Sequence, residues 1–407
     1  MSIRERQLFT LQFVENGTSR QQIPRDAVFH LLRLQCEAGL LTSVQGAAGT
    51  GPNLVPGFPF SLMRRIRVIR NGSDIVYSAT GEQFAKEHYY LNGVHPQSRL
   101  YSVAANVETL MTQLSRGVTV PANSQGIGSN IGFKVADAPN ASAEMRFDFQ
   151  GDIMFQTGVD DDYYATLVDA RPLADFAIEI DWAGIPSQIA AAGTTNTSTT
   201  VNMSVSVLSV DQDNVANDIP YGTFKRSQYS QNAFPFASQN NQVLLPRGNM
   251  LYGLIFSSKA FKAGSAINAI AENAVIGDME LRVNTNLSLK KFTFKQLQGN
   301  NLADHGGRQN VFDNVGGGPQ GWALLPLVNA TQTLRESIPT FAFDQLDLQL
   351  GMKAIAEAQN GVTTPATNPV LDILIEEVIP GVSISPNMPQ GAQNGSIART
   401  SAKPFGR

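Results

Sequence analysis

The sequence predicts a mainly β chain: two tandem jelly-roll β-sandwiches, with one or two short helices inserted in the first. Three observations predict it. Apolar and polar residues alternate with period two along the chain. Gly, Pro and small polar residues separate the alternating runs. One motif, with much of the chain downstream of it, occurs twice in the same order. The 407 residues exceed what one hydrophobic core usually holds, and an apolar content of 42% is enough for two.

The elements run in chain order. "IPRDAVFHLLRL", from Ile23, places Pro24 at the start of a strand, where its missing N–H costs the ladder nothing. "IRVIRNGSDIVYS", from Ile66, is a hairpin around Asn71-Gly72. Two helices are expected next: "GEQFAKEHYYLNG", and "NVETLMTQLSRG", where Asn106 caps, Val107, Leu110, Met111 and Leu114 form a stripe and Gly117 stops. "FAIEIDW" sets Phe176, Ile178, Ile180 and Trp182 on one face and Glu179 and Asp181 on the other. "VNMSVSV", from Val201, alternates in the same way.

The second half repeats this plan. "LPRGNMLYGLIF", from Leu245, matches the first motif at an offset of 222. "LRVNTNLSLKKFT", from Leu281, matches the hairpin at 215. "LDLQLGMKAI", from Leu346, matches "FAIEIDWAGI" at 170, and "LDILI", from Leu371, matches "MSVSV" at 168. The offsets change only across loops, which points to a duplicated β-domain, the first copy lengthened by the helical insert. Long loops between antiparallel strands suit a Greek-key sandwich, whose commonest large form is the jelly roll. The expected division is residues 1–22 as an N-terminal arm, 23–215 as jelly roll 1, 216–244 as an inter-domain connection, 245–382 as jelly roll 2 and 383–407 as a C-terminal tail.

Charge and composition bound the function. The net charge of −4 leaves no broad basic field for a nucleic-acid backbone, so sequence-specific binding to nucleic acid is not expected. Charged residues make up 16%, against about 25% in typical soluble domains. That suits flanks buried against neighbours. Cys36 is the only cysteine, which excludes an intramolecular disulfide and a cysteine metal cage. Neither a secretion signal nor a run of about 18 apolar residues is expected.

The two-unit plan, the hairpin running into "EQFAKEHYYLNG", and the polar tail "GVSISPNMPQGAQNGSIARTSAKPFGR" together resemble the double jelly-roll major capsid proteins of tailless icosahedral viruses. That lineage includes adenovirus hexon and membrane-containing bacteriophages. The resemblance covers nearly everything from Gln21 to Pro380. It implies a homotrimer of pseudo-hexagonal outline, contacts with neighbouring trimers and with penton and minor capsid proteins, and a place in the virion shell after synthesis in the host cytoplasm. It also implies a bacteriophage as the virus, and for many members an internal lipid membrane beneath the shell. Residues 1–22 and 383–407 are then expected to be ordered only by other subunits or a membrane.

No catalytic residue, cofactor or metal site is expected. His30 aligns with Tyr252 as a packing position. His88 and His95 have no metal-ligand spacing, and Asp304-His305 has no nucleophile elbow beside it. "GIGSNIG" (Gly126–Gly132) leads into no helix, and "GGPQGW" has Trp322 where a phosphate loop needs Lys. Asp160, Asp161 and Asp162 could hold calcium at a subunit junction, but read first as a solvated turn. Arg65 and Arg67 share a strand face that could meet acidic neighbours or lipid headgroups. The alternative function is a tandem jelly-roll glycan-binding or glycan-processing protein. It would need Glu179 and Asp347 to converge, or Trp182 and Trp322 to line a groove.

Overall fold

The computed structural model describes residues 3–44, 53–54, 57–92, 96–104, 107–110, 113–115, 118–119, 132–133, 143–157, 166–190, 200–212, 222–231, 241–261, 270–271, 276–284, 287–305, 321–328, 337–352 and 367–380. The first unit contains β1 (Ile3–Gln12), β2 (Thr18–Gln22), β3 (Val28–Val44), β4 (Met63–Arg70), β5 (Asp74–Ala79), α1 (Gly81–Asn92), β6 (Gln97–Ala104), β7 (Ala143–Met154), β8 (Phe176–Trp182) and β9 (Ser204–Gln212). One sheet runs β1-β9-β3-β7-β6, and the facing sheet runs β2-β8-β4-β5. Their inward residues, among them Phe29, Leu32, Ile66, Val68, Ile178, Ile180, Val205 and Val207, interdigitate as one core.

The second unit contains β10 (Gly222–Gln231), β11 (Asn241–Leu244), β12 (Met250–Phe261), β13 (Ile276–Val283), β14 (Leu287–Thr293), α2 (Phe294–His305), β15 (Trp322–Pro326), β16 (Leu346–Met352) and β17 (Thr367–Pro380). Its sheets have the same order, β10-β17-β12-β15 against β11-β16-β13-β14. In both units the strand order is that of a jelly roll. β5 and β10 pair in parallel at Tyr77 and Arg226, so the second sheet of unit one continues into the first sheet of unit two.

The two copies agree in detail. Arg25 Nη1 donates to the carbonyls of Leu173 and Ala174, and Arg247 Nη1 donates to those of Phe343 and Asp344. Asn71 and Asn284 both turn the hairpin with positive φ (50° and 49°), a conformation that Asn tolerates well. Their side-chain oxygens accept from the N–H groups of Ala174 and Asp344, both at 2.8 Å. Each helix opens with a capping box: Thr80 and Gln83 exchange hydrogen bonds in α1, and Thr293 and Gln296 do so in α2. His30 and Tyr252 are the extra residues of matching bulges, and both are buried.

These markers correct several expectations. Arg25 and Arg247 are equivalent at the expected offset of 222. The hairpins, however, match at 213, through Asn71 and Asn284, and not at 215. Arg67 therefore corresponds to Glu280, not to Arg282. β9 and β17 match at 166 and not at 168, because Asp211 opposes Phe29 as Glu377 opposes Leu251. A slip of two leaves a period-two pattern unchanged, so the apolar pattern could not detect it.

The expected arm and connection are also corrected. Within residues 1–22, β1 and β2 pair with β9 and β8, and within 216–244, β10 and β11 pair with β17 and β16. β1, β2 and β11 lie at sheet edges and β10 lies at the seam, so polar residues interrupt their alternation and hide it. The expected helix at 106–117 is instead a strand, Val107–Leu110, paired with β6, and a second strand, Gln113–Ser115. Asn106, Met111 and Gly117 lie outside the described residues. Asn serves a turn as well as a cap, and the non-local pairing overrides the helical stripe. The second helix is α2, so among the described residues each unit carries one α-helix. The added length of unit one lies after α1 and includes β6. The tail 383–407 lies outside the described residues.

Equal capping boxes imply equal consequences. Thr80→Ala and Thr293→Ala should each cost about 1 kcal/mol in chemical denaturation, by loss of one N-terminal cap. A cost at one position only would show that the second helix is not held by its cap.

Candidate functional site

The densest polar cluster among the described residues lies where the units join. β10 carries Phe224 and Arg226 on the face turned toward unit one, and both are buried. The Arg226 guanidinium donates from Nε to Glu87 Oε1 at 2.6 Å, from Nη2 to the Met154 carbonyl and from Nη1 to the Phe224 carbonyl at 3.3 Å. Its central carbon lies 4.2 Å from the Phe224 ring centre and 5.0 Å from that of Tyr77. Tyr77 in turn donates its hydroxyl to Glu87 Oε2 at 2.8 Å. Glu87 comes from α1, whose start packs closely on the preceding chain. A Cβ at Gly81 would lie 1.9 Å from the Phe60 carbonyl oxygen, so only glycine fits there.

A second carboxylate completes the cluster. Glu376 on β17 is the register partner of both Arg226 and Gly253. A Cβ at Gly253 would meet Glu376 Oε2 at 2.5 Å, so the glycine makes room for the acid. Burial, and then the nearby charge of Glu87, push the Glu376 pKa up to about 8, although Arg226 opposes both. The Glu376 carboxyl therefore keeps its proton at neutral pH, so the guanidinium meets it as a neutral group. Burial likewise raises the Tyr77 hydroxyl. The Arg226 and Tyr77 side chains are closed to solvent, so the cluster has no access for a substrate. It fixes the orientation of two units.

The outer edges repeat the geometry without the cover. β1 stands in unit one where β10 stands in unit two, and β14 stands in unit two where β5 stands in unit one. Ile3, equivalent to Phe224, is 55% exposed against 1%. Leu289, equivalent to Val76, is 36% exposed against 0%. Residues that one seam buries are thus open at both ends of the chain.

Among the described residues, those singled out in the sequence are not brought together. His30 is buried in β3, and burial lowers its pKa. His88 lies on α1 and His305 closes α2, with Asp304 beside it in the chain. His95 and Asp160–Asp162 lie outside the described residues, as does "GIGSNIG" apart from Gly132. Arg65 and Arg67 do share a face, but both are paired within the chain, Arg65 with Asp181 at 2.6 Å and Arg67 with Glu179. Thr18 and Arg65 hold the Asp181 carboxyl below its ordinary pKa against the opposing effect of burial. Glu179 and Asp347 lie on different sheets, and Trp182 and Trp322 are buried in the core, so no acid pair or aromatic groove forms from them. Among the described residues no His, Cys, Asp and Glu group has metal-binding geometry, and no helix is long and apolar enough to cross a membrane. The Arg226 cluster itself was not foreseen. Its sequence signals are a Lys-Arg pair inside a strand and two adjacent Glu residues closing the apolar run of β17.

No protein-family model matches the sequence, and no curated protein matches it. Solved structures do. The chain is similar to the major capsid protein of STIV, Sulfolobus Turreted Icosahedral Virus, at 14% identity and a TM-score of 0.60, over 95% of this chain and 100% of that one. It is similar to the Faustovirus major capsid protein at 10% and 0.52, over 93% and 91%. It is similar to the major capsid protein P2 from Bacteriophage PM2 at 8% and 0.51, over 93% and 98%. The chain has their double jelly-roll fold.

Two measurements test the cluster. Arg226→Met leaves the buried Glu87 without its cation and should cost about 3–5 kcal/mol in denaturant unfolding. The pH effect has a definite sign. Folded Glu376 keeps its proton to about pH 8, whereas the unfolded residue loses it near 4.5. The folded state therefore binds more protons in that window, and stability falls as pH rises through it. The melting temperature should fall less between pH 5 and 8 in Glu376→Gln than in the unaltered chain. Parallel profiles would show that Glu376 does not titrate in the window.

Proposed function

We propose that this chain is the major capsid protein of a tailless icosahedral virus, a structural and not an enzymatic component of the virion shell. The fold supports the role, since it is shared along nearly the whole length with the capsid proteins of STIV and PM2. These come from viruses of different kinds, one of them a bacteriophage, and a bacteriophage is the source we propose here. The observation that carries the assembly is the pair of open edges. β14 and β1 are the counterparts of the two strands that meet in the internal seam, so one copy can join the next as unit one joins unit two. Such a head-to-tail contact closes a ring when the rotation allows it. Three copies then present six similar units, a pseudo-hexagonal homotrimer that packs against neighbouring trimers. Penton and minor capsid proteins, and an internal membrane where the virus has one, are the further partners of this reading. The unit boundary falls between Gln212 and Gly222, and residues 383–407 act as a tail that reaches neighbouring subunits.

Multi-angle light scattering of the purified chain at falling concentration tests the trimer. One subunit has a mass of 43.9 kDa. A mass three times that value should persist on dilution, because obligate contacts of this kind bury more than roughly 2,000 Å². A monodisperse monomer at all concentrations would overturn the reading.

A further inference from the structure

The internal seam and the open edges are equivalent position by position, so their side chains can be compared directly. The hairpins β4–β5 and β13–β14 share one register, including a bulge, and this places Lys290 where Tyr77 stands. β1 on β9 and β10 on β17 also share a register, which places Glu5 where Arg226 stands. β7 and β15 align through their pairing with β3 and β12, so the carbonyl of Pro326 corresponds to that of Met154.

In the internal seam the incoming strand brings the cation. Arg226 donates to the Met154 carbonyl and is met by Glu87 from the helix. At the open edge of unit two the cation is already in place. Lys290 Nζ donates to the Pro326 carbonyl at 2.7 Å, the carbonyl equivalent to that of Met154. The helix position equivalent to Glu87 is Asn300, which has no charge to offer. Lys290 thus has a carbonyl partner but no carboxylate at the place where Arg226 has one. Partial burial pulls its pKa below the ordinary lysine value.

The strand that would arrive there is β1 of another copy, and at the Arg226 position it carries an acid. The Glu5 side chain is 49% exposed, and its Oε1 accepts from Arg33 Nη1 at 2.6 Å, which leaves the exposed part of the carboxylate for a second cation. Arg33 is also paired with Asp152, so Glu5 is not needed to neutralise it. Arg4 and Arg6, on the other face of β1, are bound to Asp211 and do not cancel Glu5.

We propose that the contact between subunits repeats the internal seam with its charges exchanged, and that Lys290 of one copy pairs with Glu5 of the next. This rests on the trimer reading above and specifies its interface. The exchange also has a consequence for assembly. The Tyr77–Arg226 edge and the Lys290–Glu5 edge are not interchangeable, so a unit cannot dock in the wrong order without setting a charge against the wrong partner.

Disulfide trapping tests the pairing. Strands in a paired register bring Cα atoms within the roughly 4.4–6.8 Å that a disulfide needs. Cys36 is buried and does not compete. The double variant Glu5→Cys/Lys290→Cys, oxidised as the full-length assembled protein, should run as covalent trimer on a non-reducing gel, and each single variant as monomer. Charge reversal gives an independent measure. Lys290→Glu and Glu5→Lys should each raise the concentration at which the trimer dissociates by tenfold or more, and the double reversal should recover most of the loss. If the unaltered chain is a monomer, the trimer reading itself fails. If it is a trimer but the double cysteine variant forms no cross-link and the double reversal gives no rescue, the trimer stands and this pairing is wrong.

Discussion

A guanidinium closed off from water must find its counter-charges inside the protein, and the join between the two units is built around that requirement. Arg226 arrives on the first strand of unit two, but a carboxylate that meets it belongs to α1 of unit one, and a carbonyl that accepts from it belongs to β7. No rotation of one unit against the other keeps all these contacts. The second carboxyl, Glu376, sits where a Cβ at residue 253 would crowd it, so the glycine there leaves its position free. A purely apolar seam of the same area would tolerate sliding, whereas a buried ion pair with directed hydrogen bonds does not. The apolar part of the join, including Ile255, Trp322 and Leu374 packed into the core of unit one, supplies area around this point.

The duplicated frame and the seam have diverged in different ways. Arg25 and Arg247, Asn71 and Asn284, and Thr80 and Thr293 keep the same partners in both copies. Each satisfies backbone groups that any jelly roll of this shape leaves open, so the requirement is the same in both units. At the seam positions the residues differ: Arg226 against Glu5, Tyr77 against Lys290, Glu87 against Asn300. In the proposed ring those positions face another unit, and the unit faced differs between the inner join and the outer edges.

The described residues hold no catalytic constellation, and the acids and aromatic residues that could have formed one are paired across strands or buried in the core. What the chain does expose is two strand edges that match each other and a surface low in charge. An exposed strand edge invites pairing, which charged side chains such as Arg4, Glu5, Lys290 and Lys291 restrict to a partner that complements them. In the proposed ring, the geometry of the internal seam gives that pairing one partner and one register.

Class, duplication and most core positions were legible in the residues alone, because apolar alternation records which face of a strand is buried. Ile66, Val68, Ile178, Ile180, Leu281 and Leu348 all stand where their pattern put them. The first offset was legible too, since Pro24-Arg25 and Pro246-Arg247 mark the same strand start. The registers of the hairpin and of β17 were settled only by the packed fold, because a pattern of period two reads the same after a slip of two. Bulges and the Asn71 and Asn284 turns break that degeneracy, and they are set by pairing across the fold. The packed fold was needed as well to show that residues 3–22 and 222–244 supply strands. Those strands lie at edges or at the join, where a charged residue can be the right residue, and their reason lies in a partner more than a hundred residues away.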